Sequence, residues 1–154
     1  MNGLMTPKPV LIIDDNADDA ELTRRALKRC PVPSAVIVAD DALEAVAWLT
    51  HGRLPNAGFD GLPALVLLDV KMPRVDGFEV VRQLRAHPRT RQLPIVLLTS
   101  SAEEQDIRAG YDAGANAYVR KPITSERFIE AVHALGSFWL GHNALPSSAG
   151  GGPR

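Results

Sequence analysis

One cysteine, Cys30, stands in the chain, and a lone thiol excludes any disulfide within it. By itself it reads as a small apolar side chain rather than a nucleophile. No block of Lys or Arg is present. The 17 basic residues against 18 acidic ones leave a net charge of −1, so the chain lacks the electrostatic footprint of a nucleic-acid binder or of a protein that lies on an anionic membrane. No run approaches the roughly 18 apolar residues of a membrane span. The opening "MNGLMTPKPVLII" has neither the basic start, the long apolar stretch nor the small-residue cleavage site of a secretory signal, and a cytoplasmic location is the expectation. What remains is 154 residues, 45% of them apolar, enough to bury one core and too few for two ordinary domains.

Short apolar runs alternate with stretches of helical periodicity, the pattern of βαβ units around a parallel sheet. Five strands are predicted, at 10–13, 35–39, 64–68, 95–98 and 117–119. The first, third and fourth are nearly continuous Val, Ile and Leu, as strands buried on both faces require. Helices are predicted between them. The first, 17–28, follows Asn16 as N-cap and is stopped by Pro31 and Pro33. The second covers 41–49, the third 78–86 ahead of His87-Pro88, and the fourth 103–113 ahead of Gly114. The fifth, 124–140, carries Phe128, Val132, Leu135 and Trp139 on one face. At about 25 Å it outruns a small sheet, and Phe138 and Leu140 widen its apolar surface into one suited to a partner. The segment "THGRLPNAGFDGLP" reads as a long surface loop and the tail "GHNALPSSAGGGPR" as disordered. The expected organisation is an N-terminal extension at 1–7, one domain at 8–140 and a Gly/Ser/Pro-rich tail at 141–154.

In an open parallel sheet the ligand lies outside the carboxyl ends of the strands, where the strand order reverses. Asp14 and Asp15 follow the first predicted strand, Asp69 the third, Thr99 and Ser100 the fourth, and Lys121 the fifth. Any one of these alone is an ordinary strand-end residue, but together they place phosphate and metal chemistry at four ends of one sheet. Three carboxylates on one edge repel unless protons or positive charge sit among them. Lys121 supplies one charge, and Mg²⁺ suits a few carboxylates, a backbone carbonyl and retained waters. A phosphoryl-transfer site results, with a carboxylate as the nucleophile that becomes an acyl phosphate while Mg²⁺, Lys121 and the Thr99 hydroxyl meet the phosphoryl oxygens. The four histidines, His51, His87, His133 and His142, lack metal-ligand spacing and are expected to be solvated or packed.

The segments "IIDDNADDAEL", "LLDVKMPRVDGFEV", "VLLTSSAEE" and "GANAYVRKP" resemble, in order and spacing, the receiver domain of bacterial response regulators of the chemotaxis type, over residues 8–140. The resemblance implies a flavodoxin-like (βα)5 fold, a doubly wound five-stranded parallel sheet of order 2-1-3-4-5. It implies that Asp69 is the phosphoacceptor and that Asp14, Asp15 and Asp69 hold Mg²⁺ with the Lys71 backbone carbonyl. Lys121 is then the phosphoryl contact, and Thr99 and Tyr118 are the switch pair. An aromatic that simply packs on the fifth strand would occupy the same position as Tyr118. By resemblance the Lys121-Pro122 bond is expected to be cis. The identities of Lys71 and Ser100, which tune phosphoryl lifetime in such domains, leave that lifetime open.

A stand-alone receiver is the expected function: it takes a phosphoryl group from a sensor histidine kinase and signals by protein contact through its fourth helix, fifth strand and fifth helix. A relay intermediate that passes the group to a histidine phosphotransfer protein fits the same residues. An aspartyl-phosphate phosphatase of the haloacid-dehalogenase type is disfavoured, because that family carries Asp-x-Asp after its first strand and a cap domain. A degenerate binding module is disfavoured by the presence of Asp14, Asp15, Asp69, Thr99 and Lys121. The long loop before the third strand and the "SFWL" near the end of the fifth helix resemble the receivers paired with bacterial phytochrome kinases. That resemblance implies a homodimer using Phe138, Trp139 or Leu140.

Overall fold

Leu65–Asp69 and Ile95–Thr99 are each buried along their entire length, so both faces of the sheet that contains them must be covered. The computed structural model describes residues 8–30, 35–55, 61–100, 103–121 and 124–145. Its strands are β1 (Val10–Ile13), β2 (Val36–Ala39), β3 (Leu65–Asp69), β4 (Ile95–Thr99) and β5 (Ala117–Arg120). They form one parallel sheet in the order β2-β1-β3-β4-β5, as expected. Between them run α1 (Ala17–Lys28), α2 (Ala42–Thr50), α3 (Gly77–Ala86) and α4 (Glu104–Ala113), and α5 (Ser125–Gly136) follows β5.

Two-residue alternation along each strand divides the core between the faces. Leu11, Ile13, Val66, Leu68, Ile95 and Leu97 pack with Ala45 and Leu49 of α2 and Val80, Val81 and Leu84 of α3. Val10, Ile12, Leu65, Leu67, Val96 and Leu98 pack with Ala20 and Leu27 of α1 and Phe128 and Val132 of α5. The helix starts follow local chemistry: Asn16, Asp41, Asp76 and Thr124 each accept a backbone N–H from the first turn that follows. Gly114 ends α4 in the left-handed region at φ 112°, which glycine adopts without penalty.

Three expectations need correction. The fifth helix is not one α-helix to residue 140: the α-helical ladder ends at Gly136 and gives way to a π-helical segment, Ser137–His142, closed by the Asn143 N–H donating to the Phe138 carbonyl. Gly136 lies against Cys30, and a Cβ there would stand 2.7 Å from the thiol sulfur, so a glycine is what lets α5 meet the end of α1. That segment also takes in Gly141 and His142, which were expected in the disordered tail. The loop before β3 is not wholly at the surface, because Leu54 and Leu62 at its two ends are buried in the core. Residues 1–7, 146–154 and the Lys121-Pro122 bond lie outside the described residues.

Arg85 joins three elements at the opposite end of the sheet from the carboxylates. Its Nε donates to the Gly114 carbonyl at 2.8 Å, Nη1 to the Arg91 carbonyl at 2.9 Å and Nη2 to Asn116 Oδ1 at 2.8 Å. Asn116 Oδ1 also accepts the Ile95 N–H, which ties the start of β4 into the same cluster. Burial holds the guanidinium below its usual pKa. Arg85→Ala is expected to destabilise the protein by about 1 kcal/mol, since it takes the donor from the part-buried Gly114 carbonyl and unties the more exposed Arg91 and Asn116 acceptors from α3. Arg85→Lys is expected to recover little, because a point ammonium cannot serve three acceptors in a fork. Urea denaturation of both variants checks this.

Candidate functional site

β1 and β3 are adjacent in the middle of the sheet and run parallel, which brings the residues after their carboxyl ends together. One carboxylate oxygen from each of Asp14, Asp15 and Asp69 lies within 4.8 Å of the others. Asp14 and Asp69 are 4% and 9% exposed, while Asp15 is open to solvent. Local hydrogen bonds orient two of the three: Asp14 Oδ1 accepts the Asn16 N–H at 2.9 Å, and Asp69 Oδ1 accepts the Lys71 N–H at 3.3 Å. The loop after β3 is pinned by a bridge between Lys71 and Asp76 and by the Gly77 N–H donating to the Val70 carbonyl.

Lys121 enters from the end of β5, its N–H donating to the Thr99 carbonyl. Its Nζ lies 3.6 Å from Asp14 Oδ2 and 4.0 Å from Asp69 Oδ1. Its shortest contact, 3.0 Å, is to Oδ2 of Asp19 in the first turn of α1.

The electrostatics follow from this crowding. Burial pushes the Asp69 carboxyl up to about 6; Lys121 opposes the shift, and the Asp14 charge adds to it. Burial likewise raises Asp14, against the Asn16 hydrogen bond and Lys121. Burial would lower the Lys121 pKa, but the Asp19 hydrogen bond and the Asp69 and Asp14 charges outweigh it and hold the ammonium above its usual value. One ammonium among these carboxylates leaves negative charge at a partly dry edge. The donor set, three carboxylates beside an open surface, fits a hard divalent cation.

The structure brings Asp14, Asp15, Asp69 and Lys121 together as expected. Thr99 is fully buried at the end of β4, one residue beyond Leu98, the partner of Asp69 in the sheet register. Tyr118 is half-buried, pairs in register with Leu97 and packs on the core face covered by α2 and α3. Lys71 is exposed. Of the three residues expected at a dimer contact, Phe138 is 50% exposed, while Trp139 and Leu140 are half-buried against their own core. Phe138 and Trp139 meet edge to face at 5.1 Å.

Asp19 is the residue that sequence reasoning missed. It stands three residues after the N-cap Asn16, where an acidic side chain ordinarily reaches back to the cap N–H. Here Asp14 already accepts that N–H. The run "DDNADD" carries the signal: an Asp two residues before the cap frees the Asp three residues after it for another partner.

A 2-1-3-4-5 parallel sheet with carboxylates and a lysine gathered at its carboxyl edge defines a doubly wound α/β domain whose site lies outside the carboxyl ends of its central strands. The chain belongs to the response regulator receiver domain family, whose model matches residues 10–133. It is similar to the response regulator Rcp1 of Synechocystis sp., 32% identical over 143 residues that cover 92% of this chain and 95% of that one. The Mn²⁺-bound form of Rcp1 superposes with a TM-score of 0.79. The phosphorylated cyanobacterial phytochrome response regulator RcpA is 31% identical, with a TM-score of 0.82 over 92% of this chain and all of that one. The bacteriophytochrome response regulator AtBRR is 39% identical, with a TM-score of 0.67 over 93% of this chain and all of that one. As a member of this family the chain is a signalling domain phosphorylated by a histidine kinase.

Proposed function

We propose that Asp69 is the phosphoacceptor of a single-domain response regulator, loaded by a sensor histidine kinase of the bacteriophytochrome class. The observation that carries this reading is the cluster of Asp14, Asp15 and Asp69 with the Lys121 ammonium on its edge. The kinase class is supported by the likeness to phytochrome response regulators. An Asp69 carboxylate oxygen attacks the phosphorus of a protonated phosphohistidine. The P–N bond breaks, and its electron pair stays with the ring nitrogen as neutral imidazole leaves. Asp14, Asp15, Asp69 and the Lys71 backbone carbonyl would hold Mg²⁺, which supplies positive charge to the phosphoryl oxygens when bound. Lys121 would contact the same oxygens, and Thr99 and Tyr118 respond to the group as the switch pair. Residues 8–140 form the receiver, and it works in the cytoplasm, where a kinase of this type presents its phosphohistidine.

The phosphatase reading predicts continuous release of phosphate from organic phosphate esters. Incubation with phosphate monoesters is expected to give none, whereas acetyl phosphate gives one equivalent of protein-bound phosphoryl group; steady turnover of the esters would overturn the reading.

Signalling proceeds through a homodimer at the α4, β5 and α5 face, with Phe138 as its apolar contact. Half of that side chain is exposed, beside Trp139, and an aromatic pair of this kind is a common anchor of protein contacts. Phe138→Asp is expected to leave a folded monomer where the native chain is a dimer, as read by light scattering. A native chain that is monomeric at high concentration, phosphorylated or not, would contradict the dimer.

A further inference from the structure

We propose that Asp19 is a positioning residue that holds the Lys121 ammonium off Asp69 by the width of a phosphoryl oxygen. The inference rests on the reading of Asp69 as phosphoacceptor and adds a residue to it. An ammonium brings three donors, and three carboxylates surround this one. Among the described residues only Asp19, at 3.0 Å, accepts a hydrogen bond from it; Asp14 at 3.6 Å and Asp69 at 4.0 Å lie beyond that range. Asp69 is much more buried than Asp19, their side chains being 11% and 45% exposed. In a drier setting the pull of Asp69 on the ammonium is the stronger for a given distance, yet the shortest contact goes to the exposed carboxylate.

The backbone of α1 explains how Asp19 holds that position. Its N–H donates to the Asn16 cap and its carbonyl accepts the Thr23 hydroxyl, so the main chain at Asp19 is fixed from both sides. The cap N–H that would otherwise engage its carboxylate is taken by Asp14. The side chain is left to reach across to Lys121, 102 residues away in sequence.

A 4.0 Å gap between Nζ and Asp69 Oδ1 is too wide for a direct hydrogen bond and leaves room for an oxygen carried on phosphorus. Such an oxygen can then sit within the roughly 2.7–2.9 Å of a charge-assisted bond to the ammonium. Without Asp19 the ammonium has no partner drawing it away from Asp69 and Asp14, and it closes onto Asp69 as a direct ion pair. The incoming phosphoryl group would then have to break that pair before Lys121 could meet it, and the pair would also occupy the lone pair that attacks.

The test uses the native chain, Asp19→Ala and Asp19→Glu, each with acetyl phosphate at saturating Mg²⁺, and follows the phosphorylation rate by intact mass. Crystal structures of the native and Ala chains read the gap. Asp19→Ala leaves the cap and the Thr23 bond in place, since both use the backbone of residue 19. It is expected to be phosphorylated roughly fivefold more slowly, short of the roughly hundredfold that a 1 Å misplacement of a reacting group can cost, with the gap closing to hydrogen-bond distance. Asp19→Glu, which keeps the carboxylate, is expected to restore most of the rate. A rate unchanged or raised in Asp19→Ala, a gap that stays near 4.0 Å, or a loss that the Glu variant does not reverse overturns the inference. If the native chain itself takes up no phosphoryl group, the assignment of Asp69 fails and the inference falls with it. If only the Ala variant departs from expectation, the assignment stands and the inference alone is lost.

Discussion

Asp69→Asn is expected to be more stable than the native protein at pH 7 without divalent cations, by about 2 kcal/mol. The Asp69 carboxyl, at about 6 in the folded protein against an ordinary 3.8, binds its proton more tightly folded than unfolded. The sign follows from linkage: between those two values the folded state carries more protons, so stability falls as pH rises through that window and is flat above it. The full shift corresponds to about 3 kcal/mol at 1.36 kcal/mol for each pKa step. The Lys121 attraction is already contained in that shift; an amide of the same shape removes the buried charge but still buries a polar group beside the ammonium, which reduces the gain. Asp14, raised in the same direction by burial, is also repelled by the Asp69 charge, so the amide relieves part of its penalty as well. Urea denaturation in chelator from pH 4 to 7 should show the two chains close together at pH 4 and diverging toward pH 6. Added Mg²⁺ should stabilise the native chain far more than the variant, since a ligand that binds only the folded state adds its binding free energy to stability. Equal stability at pH 7, or a less stable variant, would contradict the electrostatic account of the site.

Gly77→Ala is expected to damage fold and site together. A Cβ at this position would stand 2.7 Å from the Val70 Cα and 3.0 Å from the carbonyl oxygens of Asp69 and Val70. All three are backbone atoms at the end of β3 and in the turn that follows it, and none can rotate away as a flexible side-chain tip would. Relief requires the start of α3 to move off the loop, which also threatens the Gly77 to Val70 hydrogen bond and the Lys71 to Asp76 bridge. Overpacking of this kind costs about 1–3 kcal/mol. Because the same turn presents the Lys71 carbonyl, phosphorylation by acetyl phosphate is expected to slow roughly tenfold or more at fixed Mg²⁺. A thermal melt and a phosphorylation time course on one preparation check both effects. A variant with native stability and rate would mean that the turn relaxes freely.

These effects show which parts of the molecule could be read from the residues. The buried strands were legible because Val, Ile and Leu without a break have few other uses in a chain this short, and the first helix was legible to the residue through Asn16 and Lys28. The carboxylates, Thr99 and Lys121 were legible because open parallel sheets gather chemistry at one edge. The π-helical segment was not, since the apolar spacing of Phe128, Val132, Leu135 and Trp139 reads as one continuous α-helix across Gly136. Leu54 and Leu62 sit among turn residues that favour a solvated loop, and only the tertiary fold shows them to be buried. Asp19 was hidden for a similar reason. Its position after the N-cap has an ordinary local use, and its actual partner arrives from the far end of the chain.

The central claim is that Asp69, with a cation held by its neighbours, accepts a phosphoryl group. Intact mass after incubation with acetyl phosphate, with and without Mg²⁺, on the native chain and on Asp69→Asn, tests it most directly. The account predicts one added phosphoryl group on the native chain with Mg²⁺, and none when either Mg²⁺ or the Asp69 carboxylate is removed. A phosphoryl group that appears on Asp69→Asn, or on the native chain equally well in chelator, would contradict it.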